Sequence, residues 1–168
     1  MTAKIDFPCA IILTHKHGAG VAILYNEQEL IQVSQGAADS SFWSCASHKT
    51  AESLCDLFYA LLLGRECGVA ELKSIAMGVG PGSFTGLRLG CAFANGMALA
   101  LPLQLLSFQT QYDEQNREEW IGYGDIQHAA LALCAARFEL LDKDGERNFF
   151  VPAYGRLPTP VLKLTLEG

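Results

Sequence analysis

A glycine-rich turn is the stretch of this 168-residue chain whose residue types are best suited to chemistry. It lies between two apolar runs, residues 74–79 and residues 84–101, which predict a buried strand and a buried helix. Free N–H groups and the helix dipole meet at the start of such a helix, where they can bind a phosphate or another anion. The candidate cofactor-binding residues of this turn are Gly80, Gly82, Ser83 and Thr85.

The spacing of these glycines matches neither of two common nucleotide-binding patterns. The chain has no GxxxxGK[ST] string, and the turn does not have the GxGxxG spacing. Taken alone, the turn is therefore better interpreted as a tight bend next to a closely packed helix. We assign no cofactor to the isolated chain.

Other reactive side chains do not form a site by their spacing. His15 and His17 have no nearby cysteine or carboxylate to complete a metal site. Ser83 lacks the glycine two residues later that a nucleophile elbow requires. No partner for proton transfer can be named for His48, and residues 142–145 match only part of a calcium loop. We predict no catalytic residue and no metal site.

Composition restricts the class of partner. The net charge is −6 and no cluster of Lys and Arg is present, which argues against tight binding of nucleic acid by this chain alone. The six cysteines form no CxxC pair, as is typical of reduced thiols. Hydrophobic residues make up 50%, but no run is long enough to span a membrane. We expect a cytoplasmic protein that covers its apolar surface with another protein.

Three short strands are predicted at the start of the chain. Residues 9–14 and 21–25 are apolar runs, and residues 30–35 alternate between apolar and polar side chains. The polar link at residues 26–29 is short enough for a hairpin. The three strands are expected to form an antiparallel meander, followed by a loop over residues 36–46.

A helix predicted over residues 48–65 is apolar on two sides. One side follows the i, i+3, i+4, i+7 spacing, and a second side contains Leu57, Ala60 and Gly64. A helix that is apolar on two sides is buried on two sides. We expect one side to cover the sheet and the other to contact a partner.

The second long helix carries small residues on two faces. Gly86, Gly90 and Ala94 recur at every fourth position, as do Ala92, Gly96 and Ala100. A glycine inside a helix costs on the order of 1 kcal/mol relative to alanine, so close packing is the expected reason for it. The partner interface predicted from both helices consists of Leu54, Leu57, Phe58, Leu61, Gly86, Gly90, Ala94 and Met97.

The remaining predicted elements indicate a domain boundary after the fifth strand. Residues 103–106 predict a fifth strand, which the intervening helix places parallel to the strand at residues 74–79. After residue 108 the composition shifts to a polar loop, and residues 125–138 predict one more helix. We therefore divide the chain into an N-terminal lobe, residues 1–108, and a reduced C-terminal lobe, residues 109–168.

The full string around the turn resembles a family signature. Residues 78–90 contain G-x-G-P-G-S-F-T-G-x-R-x-G, which is similar to the signature of the TsaB (YeaZ) family. That family supplies the non-catalytic subunit of the bacterial machinery for threonylcarbamoylation of adenosine 37 in tRNA (t6A). The resemblance implies an α/β fold, the actin/Hsp70-like (ASKHA, ribonuclease H-like) lobe with a mixed five-stranded sheet and flanking helices.

The resemblance also implies partners. A TsaB-like chain is expected to dimerise with a TsaD-like catalytic subunit, to meet a TsaE-like ATPase as a third component, and to form a homodimer when alone. ATP or ADP is implied only at the level of the complex. His48 matches a histidine found in the family, and residues 152–156 are similar to its P-x-Y-L-R string with Gly155 in place of leucine.

Two departures from the family keep alternatives open. Leu13, Thr14 and His15 stand where the family has Asp-Thr-Ser, so the acidic residue is missing, and the second lobe looks largely absent. One alternative is a degenerate, regulatory TsaB-like homodimer. Another is an enzyme of the sugar-kinase class that uses residues 80–85 as a phosphate turn, which the missing acidic residue argues against.

Overall fold

The computed structural model describes residues 3–15, 18–34, 43–47, 50–80, 84–109, 138–142, 146 and 148–154. The helices and strands of these ranges follow one another as β1 (Cys9–His15), β2 (Gly18–Leu24), α1 (Glu27–Ser34), β3 (Trp43–Ser47), α2 (Thr50–Gly64), β4 (Ser74–Gly80), α3 (Phe84–Ala100), β5 (Gln104–Gln109) and β6 (Glu139–Leu140).

One mixed sheet connects all the strands, in the order β3-β2-β1-β4-β5-β6. Strands β1, β2 and β3 pair in antiparallel fashion, whereas β1, β4 and β5 are parallel. Helix α3 makes the crossover between β4 and β5, as a parallel pair requires. This topology confirms the predicted actin/Hsp70-like, ribonuclease H-like lobe with flanking helices. The two-residue strand β6 adds a sixth strand at the edge of the predicted five.

The third predicted strand was wrong, because most of residues 30–35 belong to helix α1. The Asn26 side chain accepts a hydrogen bond from the backbone N–H of Glu29 at 3.0 Å, which is the bond of a helix N-cap. Glu27 and Glu29 lie in the first turn, where negative charge is favourable. The local cap therefore outweighs the short alternating pattern.

Strand β3 lies instead where a loop was expected, within residues 36–46 and just beyond them. It pairs with β2 so that Trp43 is opposite Ala22 and Ser47 is opposite Gly18. The meander order is therefore preserved, but helix α1 and not a hairpin connects its second and third strands. Apart from Phe138, which directly precedes β6, the helix predicted over residues 125–138 lies outside the described residues.

The sheet is covered on both faces, and its side chains alternate between two cores. Helices α2 and α3 cover one face, where the sheet contributes buried residues such as Ile12, Ile75 and Met77. The N-terminal segment, with Ile5 and Phe7, packs on the other face together with α1. Strand β4 is buried along its whole length because it lies at the centre of both cores.

Two polar clusters attach peripheral segments to this sheet. The Gln104 side chain accepts from the Asp6 N–H and donates to the Lys4 carbonyl, both at 3.0 Å, and so holds the N-terminal segment. Arg65 donates to both carboxylate oxygens of Glu29 at 2.7 Å, and its guanidinium lies 4.7 Å from the Tyr25 ring centre. This second cluster joins the start of α1 to the chain just after α2.

Helix α3 lies very close to the sheet at Gly90. A methyl group at this position would lie 2.5 Å from Cε of Met77 and 2.7 Å from Cγ2 of Thr14. The Met77 side chain can move, but Thr14 is β-branched and buried in a central strand, so its rotamer is restricted. A methyl group placed in the same way on Gly96, which lies on the same helix, would have no atom within 4 Å.

We predict opposite effects for alanine at these two glycines. Gly90→Ala should lower the free energy of unfolding by about 1–3 kcal/mol, because the added methyl overpacks the core. Gly96→Ala should raise it by up to about 1 kcal/mol, because alanine is the better helix former and nothing blocks its side chain. Urea unfolding followed by circular dichroism measures both. Equal changes in the two variants would contradict this packing.

A second prediction concerns alkaline pH. Burial raises the pKa of the Cys9 thiol to about 12, against 9.0 for the unperturbed group. The unfolded chain therefore releases this proton first, so the contribution of Cys9 to stability is complete below pH 9.0 and is lost as the pH rises toward 12. Chemical unfolding between pH 7 and pH 10.5 should show the free energy of unfolding falling less steeply in Cys9→Ala than in the wild type. If the free energy of unfolding fell equally steeply with pH in both proteins, this contribution of Cys9 would be ruled out.

Candidate functional site

The glycine turn begins at the carboxyl end of β4 with an unusual backbone. Gly80 has a φ angle of 134°, which side-chain-bearing residues rarely adopt. The pairing of β4 with β5 shifts register between Gly78 and Gly80. At the same point, the N–H of Ala153 donates to the Val79 carbonyl at 2.7 Å. A distant segment of the chain therefore contacts β4 where its pairing with β5 shifts register.

The start of α3 is covered by an aromatic pair from the same chain. The rings of Phe84 and Tyr154 are stacked, with centres 4.1 Å apart and planes 18° from parallel. The guanidinium of Arg88 lies 5.6 Å from the Phe84 ring centre. The position of Arg88 next to Phe84 indicates that Arg88 stabilises this end of the helix.

The four candidate cofactor-binding residues are only partly placed. Gly82 and Ser83 lie outside the described residues, and Thr85 is exposed in the first turn of α3. A side chain at Gly80 would overlap the Ala153 carbonyl, so the chain itself occupies the space next to this glycine. The phosphate-turn interpretation therefore stays a prediction without a placed set of ligands.

Leu13 and Thr14 occupy the end of β1, where the family resemblance implies an acidic residue. Leu13 is buried in the core on the α1 side of the sheet. A carboxylate in this apolar position would be costly, because no charge partner lies in that core among the described residues. Thr14 faces α3, and its buried hydroxyl has no hydrogen-bond partner in the part of the chain that the structure describes. Sequence reasoning missed Thr14, which no spacing pattern singles out.

The described ranges contain neither a candidate metal site nor a candidate membrane-spanning helix. No group of three or more His, Cys, Asp or Glu side chains lies close enough together there to hold a metal ion. Among the same residues, no helix has both the length and the apolar character needed to cross a membrane.

Six of the eight residues predicted for the partner interface lie in the core of this chain. These six are Leu54, Phe58, Leu61, Gly86, Gly90 and Ala94. Leu57 and Met97 are half-buried next to this core. The i, i+3, i+4 spacing correctly identified a buried stripe on each helix, but that stripe packs against the chain's own sheet. Whether the chain binds a partner stays a prediction, but these six residues are buried and not available on its surface.

The exposed residues of α2 and α3 include small residues and large apolar ones, besides charged residues such as Asp56 and Arg88. Ala60 and Gly64 are exposed on α2, as are Ala92 and Gly96 on α3. Methyl groups built on Gly64 and Gly96 would have no atom within 4 Å, so both faces are open. Large exposed apolar side chains of the same two helices are Tyr59, Leu63 and Leu99, with 55%, 81% and 76% of their surface accessible.

The two helices lie next to each other beneath this face. The ring of Phe58 on α2 meets the ring of Phe93 on α3 edge to face, with centres 5.1 Å apart. Such pairs stabilise contacts by about 0.5–1.5 kcal/mol beyond the area that they bury. We name the exposed residues Ala60, Gly64, Ala92 and Gly96, with half-buried Leu57, the outer helix face.

The geometry of Gly80 leads to a prediction. Gly80→Ala should lower the free energy of unfolding by roughly 1–3 kcal/mol, because alanine is strained at a φ of 134° and its methyl would meet the Ala153 carbonyl. Gly64→Ala is the matched control, with open space around the added methyl. Thermal and urea unfolding measure both variants. A Gly80→Ala variant as stable as the wild type would contradict this backbone conformation of the turn.

The sheet order and the glycine turn after β4 define an ASKHA-type lobe. Comparison with known proteins narrows this class. The family model for TsaD, tRNA N6-adenosine threonylcarbamoyltransferase, matches residues 44–110. The chain is 31% identical, over 75 residues, to the tRNA threonylcarbamoyladenosine biosynthesis protein TsaB of Escherichia coli (strain K12), a match that covers 45% of this chain and 32% of that protein. This part of the chain is therefore similar to proteins of the TsaB/YeaZ family.

Two solved structures are also similar to part of the chain. YeaZ from Pseudomonas aeruginosa is 22% identical with a TM-score of 0.47, covering 61% of this chain and 44% of that one. A protein described as similar to peptidase YeaZ from Pseudomonas aeruginosa is 23% identical with a TM-score of 0.46, covering 61% of this chain and 43% of that one. The matched segment spans about a third of the length of the curated relative.

Proposed function

We propose that this chain takes part in the biosynthesis of threonylcarbamoyladenosine in tRNA as a non-catalytic subunit that binds a TsaD-like catalytic subunit. The proposal rests mainly on which part of the chain the family model matches. Residues 44–110 contain both α2 and α3, together with β4 and β5. The related segment is therefore the one that presents the outer helix face.

The outer helix face suits docking of a partner's helices. Small residues at every fourth position let two helix backbones approach closely, because no side chain separates them. Gly64 and Gly96 are open on adjacent helices, and Leu57 on α2 is half-buried. Exposed apolar side chains next to this face lose contact with water when a partner covers them.

The charge of the chain supports an indirect role in tRNA modification. A net charge of −6 is unfavourable for binding the phosphates of tRNA, so in this proposal the partner binds the nucleic acid. Residue 13 supports a non-catalytic role, since an apolar leucine is buried where the family resemblance implies an acid. A cytoplasmic location, a TsaE-like third component and a division of the chain at residue 108 belong to the same proposal.

A charge on the outer helix face should prevent assembly. Ala60→Glu and Ala92→Glu place a carboxylate at exposed positions, so the lobe should stay folded. Each should weaken binding to the TsaD-like protein of the same organism by about 100-fold, because the charge would be buried without a partner. Ala70→Glu is the matched control, with the same substitution at an exposed residue away from both helices.

Isothermal titration calorimetry with the purified partner measures this effect, and circular dichroism confirms that each variant is folded. Wild-type affinity in both Ala60→Glu and Ala92→Glu would overturn the proposed surface. A wild-type chain that never binds the partner, but forms a homodimer that Ala60→Glu dissociates, would favour the degenerate regulatory homodimer. Tight binding of ATP and Mg²⁺ by the lone chain would favour the sugar-kinase alternative.

A further inference from the structure

A short segment near the end of the described chain is attached to the flank of α3 by its backbone. The Asn95 side chain donates from Nδ2 to the Phe150 carbonyl at 3.0 Å and accepts at Oδ1 from the Phe150 N–H at 2.8 Å. Both backbone hydrogen-bonding groups of Phe150 are therefore held by one amide side chain. We call residues 148–154 the strap.

The far end of the strap is attached at the glycine turn. The N–H of Ala153 donates to the Val79 carbonyl, and the Tyr154 ring stacks on Phe84. The strap thus runs along α3 from Asn95 back to the first residue of the helix. Its passage at Gly80 requires a residue without a side chain, since a methyl group there would meet Ala153.

Of the strap residues, only Phe150 is fully buried. Phe150 is buried, but its neighbours Phe149 and Val151 keep 39% and 73% of their surface accessible. Phe150 is the strap's buried contact with the core. At the start of the strap, Asn148 donates from its backbone N–H to Asp142 and from its side chain to the Leu141 carbonyl. Along α3 and at the glycine turn, the attachment of the strap rests on Asn95, on one backbone hydrogen bond and on one aromatic pair. Segments with few buried apolar contacts open locally at a lower free energy than the whole domain unfolds.

We propose that the strap is a releasable cover: it opens as a unit while the lobe stays folded, and it controls access to the flank of α3 and to the carboxyl end of β4. When it is closed, the chain's own Ala153 and Tyr154 cover Gly80 and Phe84. When it opens, these two positions become available to another molecule. Asn95 is the residue that sets the balance between the two states. This opening does not depend on the proposed function.

Cys91 provides a native reporter of this opening. Phe84, Cys91 and Asn95 are spaced i, i+7 and i+11, so they share one stripe of α3, and the strap contacts both ends of this stripe. Cys91 keeps only 3% of its surface accessible. Opening of the strap should therefore expose its thiol, whereas the sheet and α2 stay in place.

Thiol labelling under native conditions, followed by peptide mass spectrometry, tests the proposal. Cys55 is exposed and reports the rate of labelling without protection, and Cys9 is fully buried in the sheet and reports global unfolding. Cys91 should react more slowly than Cys55 and faster than Cys9. Asn95→Ala should increase the Cys91 rate about tenfold, because two hydrogen bonds to the strap are lost, without changing the Cys9 rate.

Gln104→Ala is the matched control. It also removes an amide side chain that makes two hydrogen bonds to the backbone of a peripheral segment, but at the N-terminal segment. Tyr154→Ala is a second test variant, which removes the stacked ring at the other end of the strap and should also speed labelling of Cys91. Its half-buried position makes it the safer variant if Asn95→Ala does not fold.

Three results would overturn the proposal. The first is a Cys91 rate equal to that of Cys9 in the wild type, which would mean that exposure requires global unfolding. The second is an unchanged Cys91 rate in every folded strap variant. The third is an equal increase in Gln104→Ala, which would show that any loss of peripheral attachment exposes this thiol. Circular dichroism establishes which variants are folded.

Discussion

The close approach of α3 to the sheet at Gly90 is the contact on which the arrangement of the lobe depends. At this point the helix backbone lies over Met77 and Thr14, on the two central parallel strands β4 and β1. A helix held so close to the sheet leaves room for its second neighbour, α2, to lie alongside with Phe58 against Phe93. The buried side of both helices is thereby determined, and so is the side that stays exposed.

The strands and helices around the glycine turn could be predicted from sequence because each is a continuous apolar run between strong turn residues. Strand β4 and helix α3 agree with their predicted ranges to within one residue at each end. Helix α1 could not be predicted from periodicity alone, because eight residues are too few to separate a helix from an alternating strand. The Asn26 cap with Glu29 was the available signal, and it depends on side-chain chemistry at a helix end.

The residues predicted for the partner interface show a second limit of sequence periodicity. Two stripes of small residues on α3 have the same four-residue spacing, Gly86/Gly90/Ala94 and Ala92/Gly96/Ala100. Periodicity shows that a helix has two such faces, but not which face lies against the sheet. Only the packing distinguishes Gly90, which has no room for a methyl group, from Gly96, which has open space. The hydrogen bonds between Asn95 and Phe150 could not be predicted from sequence either, because they join residues 55 positions apart.

The carboxyl end of the central strands is where a lobe of this topology would bring polar groups together, because β1 and β4 end side by side. In this chain the corresponding positions are used for packing. Leu13 is buried in the core on the α1 side. The Ala153 carbonyl occupies the space that a side chain at residue 80 would need. Phe84, the first residue of α3, stacks on Tyr154. Each of these contacts stabilises the lobe with the chain's own atoms at a place where a phosphate or a metal would need water-accessible polar ligands. These contacts also hold the start of α3 next to the end of β4, and the outer helix face that we propose as a binding surface depends on this position of α3.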